Sequence, residues 1–407
     1  MKIIFLLCLI SFFCIDVPAQ LGCTDIQAQN FNPNAIQNDG SCVYAASSYT
    51  PQLINNLSSV LEENSGIIFS DNVLYNINDG GNQTNILELN LQGDITRTIQ
   101  VNTAQNTDWE AITQNTNDIF IGDFGNNSGN RSDLKIYRVS KNELASSDTV
   151  NAVNQVFFYS DQTNFNNVTN SHNFDCEAFI YYQDSLHLFT KGWENLYTKH
   201  YVIPILFGDT SAAILRDSMF VDGLITDATI DSVSGNLLLL GYKNNGSNFY
   251  TSFVYLLFDY SNTSFFAGNK RRIEIGNMFN LSQTEGISFQ NEFSGFISSE
   301  KISSSLITIE PKIFSFDFSS FLENNSRINE LSLNENSVYP NPSQDRVTLP
   351  FNYKTIDILD AQGIQLIRIE TESWSNTLDL SELPISKGNI YYIHCTDFKK
   401  TAKFIYK

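Results

Sequence analysis

Carboxylates recur through the middle of the chain at a spacing that could gather them at one point. In each copy an acidic or polar residue is followed two positions later by a second polar residue, then a small and an apolar one. The copies are Glu63-Asn64-Ser65-Gly66-Ile67, Asp108-Trp109-Glu110-Ala111-Ile112, Asp175-Cys176-Glu177-Ala178-Phe179, Thr226-Asp227-Ala228-Thr229 and Thr284-Glu285-Gly286-Ile287. Between 13 and 15 residues later each copy ends an apolar run on a second position: Asp79, Asp123, Lys191, Tyr242 and Glu300. If the copies wind around one axis, Glu110, Glu177, Asp227 and Glu285 converge, and convergent carboxylates either take up protons or hold a cation. Hard oxygen donors outside a cell favour Ca2+, with waters and backbone carbonyls completing its shell. The opposing reading is structural: the acids cap strand starts and bind the backbone of the neighbouring repeat. The mixed second set forms either a ligand site at a channel mouth or salt bridges between repeats. Arg131 and Lys191 could hold an anion beside a metal, as phosphoester hydrolysis requires.

Other catalytic signatures are absent from the sequence: there is no HExxH, GxSxG, P-loop, GxGxxG or CxxC. His172, His187, His200 and His394 form no ligand spacing. Trp109 and Trp193 are expected in the core. The expected function is therefore a binding or scaffold module with an acidic, Ca2+-holding channel. The alternative is a metal-dependent phosphoesterase or esterase-like hydrolase, and a carbohydrate-binding surface is a third possibility.

The elements that must position these residues are strands. The chain has 407 residues, 42% hydrophobic and 13% aromatic, with short apolar runs broken by Asn, Asp, Ser and Gly, which predicts an all-β protein. Copy starts lie 45, 67, 50 and 58 residues apart, against roughly 40 to 50 for a propeller blade with variable outer loops. A five-bladed propeller over 50–322 is expected, with six blades as the alternative, and the residues before Glu63 supply a strand to complete the last blade. The net charge of −20 excludes nucleic acid as a partner. Residues 331–407 carry eight basic and nine acidic residues, so the acidity belongs to the middle domain.

The ends of the chain predict export. Lys2, the apolar stretch Ile3 to Ile15 and Val17-Pro18-Ala19 predict a signal peptide over 1–19, too short to span a membrane. Cys23 and Cys42 are expected to form a disulfide that staples a small module at 20–45, since so short a unit has no core of its own. Cys176 and Cys395 are expected as buried free thiols. A polar stretch at 323–337 reads as a linker, and alternating apolar runs after it predict a small β-sandwich at 338–407.

Three resemblances add to this reading. Gly22-Cys23-Thr24-Asp25 with Asp39-Gly40-Ser41-Cys42 resembles a module of secreted bacterial proteins with type IX export. Tyr339-Pro340-Asn341-Pro342-Ser343, Ile356-Asp357-Ile358-Leu359-Asp360 and the basic terminal strand resemble the type A sorting domain of type IX secretion, over about 331–407. That resemblance implies recognition by the type IX machinery and a secreted or outer-surface location. Asp108-Trp109-Glu110-Ala111-Ile112, Ile121-Gly122-Asp123-Phe124-Gly125-Asn126-Asn127, Arg131 and Ile136-Tyr137-Arg138 are similar to bacterial propellers of the phytase-esterase-like group. Asn126 departs from that pattern, which has an acid there.

Overall fold

Apolar runs bounded by residues that tolerate left-handed backbone pair as antiparallel hairpins. Asp71 and Asn72 (φ 51° and 67°) turn Asn64–Ser70 into Val73–Asn78, and Gln183 and Asp184 (φ 46° and 56°) turn Asp175–Tyr182 into Ser185–Lys191. The computed structural model describes residues 20–246, 249–304, 307–322, 338, 343, 345–360, 364–381, 383–395 and 400–406. The expected signal peptide and linker lie outside them. The chain forms two units, Met1–Leu322 and Glu323–Lys407, and is nearly all β-structure.

In the first unit, strands consecutive in sequence pair into four-stranded antiparallel meanders. The first sheet runs Asn64–Ser70, Val73–Asn78, Asn85–Leu89 and Ile95–Val101, with Thr149–Val150 added in parallel at its edge. The second runs Trp109–Gln114, Asp118–Asp123, Lys135–Ser140 and Ala152–Tyr159, and the third Asp175–Tyr182, Ser185–Lys191, Tyr197–Pro204 and Thr210–Phe220. The outermost strands of these two pair in parallel, Val156 with Thr210 through Tyr159 with Ala213, which makes one eight-stranded sheet. The fourth runs Leu224–Ile230, Leu237–Asn244, Tyr250–Phe258 and Asn269–Asn277, with Ser47–Ser48 added in parallel at its edge. The fifth joins Gln283–Phe289, Ser294–Glu300 and Lys312–Asp317 to the early strand Gln52–Asn56, so its outer edge comes from the start of the unit.

The leading strands of the sheets contact one another in order and the last returns to the first, a propeller-like ring. Side chains reach across these contacts: Ser65 Oγ donates to the Trp109 carbonyl (2.8 Å), Thr226 Oγ1 to the Thr284 carbonyl (2.9 Å), and the Phe69 N–H to Ser288 Oγ (2.8 Å). Apolar cores fill the spaces between sheets. One of them joins Phe120, Phe124 and Phe157 to Cys176, Phe179 and Tyr201.

Cys23 and Cys42 are disulfide-bonded, and their module rests on the fourth sheet. Asn38 Nδ2 donates to Asn269 Oδ1 (2.9 Å), and the Arg271 guanidinium stacks on Tyr44 and Phe321, 5.2 and 4.6 Å from the ring centres. The module's polar oxygens serve its own turns: Asp25 accepts from the Gln27 N–H and the Tyr44 hydroxyl, and Asp39 from the Ser41 N–H. Cys176 is a buried free thiol, and Cys395 is buried too. In the second unit Gln365–Asp379, Arg346–Leu359, Ile390–Cys395 and Lys400–Ile405 make a four-stranded antiparallel sheet over a core that includes Val347, Ile356, Ile358, Ile393 and Phe404.

Candidate functional site

Each leading strand carries one extra residue near its start. The pairing registers skip Ser65, Glu110, Glu177, Thr226 and Glu285 in turn, one β-bulge in the leading hairpin of each sheet. A bulge re-aims the unpaired side chain, and here it sends three glutamates to one cavity. The following residue is small where strands come closest: a Cβ on Gly286 would lie 2.3 Å from Ser298 Oγ and 3.0 Å from Ile67 Cγ2.

The cavity has a volume of about 200 Å3. Asp79, Glu110, Glu177, Glu285 and Glu300 line it with Lys191, Trp193, Tyr242, Gln283, Asn64, Ser65 and Asn127. With Asp108, which is not itself a lining residue, the acids fall into three groups. Glu177 forms an ion pair with the Lys191 ammonium. Glu285 and Glu300 share the Gln283 amide, whose Nε2 donates to Oε1 of each at 2.6 and 2.5 Å. Asp79, Asp108 and Glu110 present oxygens all within 4.8 Å of one another. Two unit charges at that separation repel by about 3 kcal/mol at an effective dielectric near 20. Burial, then the neighbouring Asp79, pushes the Asp108 carboxyl up to about 7, and burial with Asp79, Glu177 and Asp108 raises Glu110 well above the carboxylate range. Asp79 is raised by burial, against the Gly80 N–H that it accepts. Beside them Asn64, fully buried, leaves its Oδ1 without a hydrogen-bond partner while its Nδ2 donates to the Ser299 carbonyl (2.6 Å).

The structure brings Glu110, Glu177 and Glu285 to this cavity, with Asp79, Lys191, Tyr242 and Glu300 from the second set. Asp227 is not among the lining residues. Its two carboxylate oxygens accept from the N–H groups of Ala228 (2.8 Å) and Ile287 (2.7 Å), and the bulge falls on Thr226 instead. The sequence alignment of that copy was one residue out of register. Asp123 is displaced likewise: the second-set position of its sheet falls on Phe124, a core residue. Asp123 accepts from the Asp108 N–H and from Arg131 (2.9 Å), and Arg131 also binds Asp133 and the Gly125 carbonyl. Arg131 is therefore spent on its own loop and does not line the cavity. Asn126 holds that loop too, its Oδ1 accepting from the Arg131 N–H and its N–H donating to Asp175. Sequence reasoning placed Trp193 in the core, whereas it lines the cavity with its Nε1 donating to Asp175 (2.8 Å). Trp109 is core, as expected. Asp108, the first acid of the repeat that contains Glu110, joins the acids although the repeated position alone does not single it out.

Residues 337–407 match the family of the secretion system C-terminal sorting domain. The end of the chain is a sorting domain. It implies engagement with the type IX machinery and export to the cell surface or medium, and no helix among the described residues is long and apolar enough to cross a membrane. No curated protein matches the sequence. Solved structures with similarity to the chain include the PQQ-bound aldose sugar dehydrogenase of Streptomyces coelicolor (8% identity, 67% of this chain and 100% of that one, TM-score 0.36). Others are the calcium-binding protein regucalcin of Agrobacterium tumefaciens (9%, 67% and 95%, 0.34) and a hypothetical protein of Leishmania major (11%, 68% and 92%, 0.39).

Proposed function

We propose that the chain is a surface-displayed or secreted five-bladed propeller, carried out by its small β-sandwich sorting domain, that binds through a cation-loaded acidic cavity. The observation that carries this reading is the difference between the three groups of acids. Glu177 has Lys191, and Glu285 and Glu300 have Gln283, but Asp79, Asp108 and Glu110 face one another, and no Lys or Arg among the described residues forms an ion pair with them. A divalent ion is the counter-charge that this geometry lacks. The donors are hard oxygens and the destination is extracellular, so Ca2+ fits best, held by Asp79, Asp108 and Glu110 with the Asn64 amide oxygen near.

The hydrolase alternative needed a cationic clamp for the substrate. Arg131 is occupied by Asp123 and Asp133, and Lys191 by Glu177. A phosphoester would enter a cavity whose uncompensated groups repel it, so no observation favours that reading.

Thermal unfolding of the full chain during a calcium titration tests the proposal, because a ligand of the native state raises its stability. The midpoint should rise with millimolar Ca2+ in the wild type and stay fixed in Glu110→Gln. A wild-type midpoint indifferent to Ca2+ would falsify it.

A further inference from the structure

Lys191 is an unusual group to find in this cavity. It stands at the end of Ser185–Lys191, is 4% exposed, and is the one cationic side chain among the residues lining the cavity. Its ammonium pairs with Glu177 and lies over two aromatic faces, 5.0 Å from the Trp193 ring centre and 5.2 Å from that of Tyr242. A carboxylate joined to two aromatic faces is the means by which proteins recognise free alkylammonium ions. The equivalent positions of the other sheets hold Asp79, Phe124, Tyr242 and Glu300, none of them cationic.

We propose that Lys191 is a tethered ligand. Its ammonium fills a subsite built by Glu177, Trp193 and Tyr242 whose chemistry suits a primary alkylammonium ion. The subsite does not rest on the cation reading above.

Chemical rescue tests the subsite in the full chain. Lys191→Ala removes the side chain beyond Cβ, a fragment that n-propylammonium replaces. In amine-free, calcium-free buffer the variant should lose several degrees of thermal midpoint and recover at least half of the loss in tens of millimolar n-propylammonium. The same concentrations of sodium chloride and n-propanol should recover none, and the wild type should respond to none of the three. A variant that n-propylammonium shifts no further than n-propanol does would overturn the subsite. Should Lys191→Ala fail to fold, Lys191→Met is compared with Lys191→Met/Glu177→Gln. A higher folded yield in the double variant supports the pairing, and equal loss in both overturns it.

Discussion

Gly125 shows how closely backbone and acid are fitted beside the cavity. A Cβ there would lie 2.2 Å from Glu110 Oε1 and 2.5 Å from Asp108 Oδ2, distances at which one of the groups must move. Gly125→Ala should therefore part the two carboxylates, weakening Ca2+ binding about tenfold, or ~1.4 kcal/mol, and lowering the thermal midpoint in the presence of Ca2+. Calorimetric titration of the variant against wild type checks it, and an unchanged affinity would mean that neither carboxylate holds the ion. The sequence made Glu110 legible as a site residue because its acid recurs at Glu177 and Glu285. It did not make Asp108 or Trp193 legible. Asp108 lies two residues before the repeated acid, and its meeting with Asp79 depends on the neighbouring sheet. Trp193 follows its strand by two residues, so its aim depends on the Asp175 hydrogen bond to its indole, which periodicity does not report.

At the scale of elements the recurring device is the bulge. It places Glu in three leading strands and a hydroxyl in two, and both hydroxyls donate to the carbonyl just before the next strand's glutamate, Ser65 to Trp109 and Thr226 to Thr284. The hydroxyl positions thus hold the glutamate positions in place. Thr226→Val keeps the shape of a fully buried side chain and deletes one such bond, which should cost about 1 kcal/mol. Denaturant unfolding measures this; a loss within error would show that the bond does not hold the strands together. The alternation of apolar residues and the Asn- and Asp-rich turns were enough to predict strands, and the terminal motifs to predict the sorting domain. Register was beyond them. A bulge adds a residue without changing composition, so spacing read along the chain put Asp227 and Asp123 one place away from the positions that Thr226 and Phe124 occupy. The joining of the second and third sheets was equally hidden, because parallel pairing between Ala152–Tyr159 and Thr210–Phe220 leaves no local signal.

The whole molecule carries two opposed proton linkages. Burial, with the charges of Asp79 and other acids, pushes Glu300 up to about 8, and burial and Glu300 push Glu285 to about 8 despite Lys191, against an ordinary 4.5. Between those values the native state binds more protons than the unfolded chain, so this contribution to stability is full below pH 4.5 and is lost as pH rises to 8. Burial pushes His187 down to about 4 and His200 to about 3 from 6.5, where His200 stacks between Phe189 and His187, Phe265 meets His187 edge-on, and Nδ1 of His187 lies 2.9 Å from Nε2 of His200. Their contribution is full above pH 6.5 and is lost as pH falls toward 3. Thermal midpoints of calcium-free protein should decline on both sides of a weakly acidic optimum, and Glu300→Gln should flatten the alkaline side alone. An alkaline side as steep in Glu300→Gln as in wild type would remove that carboxylate from the account. Parallel pairing also fastens the rim, at three places. Ala152–Tyr159 pairs with Thr210–Phe220, Thr149–Val150, just ahead of the second sheet's outer strand, pairs with Gln100 and Val101 of the first, and Ser47–Ser48, just ahead of the fifth sheet's outer strand, pairs with the fourth. The rim is thus belted by backbone hydrogen bonds, and the sheets that carry the acids cannot fan apart without breaking them.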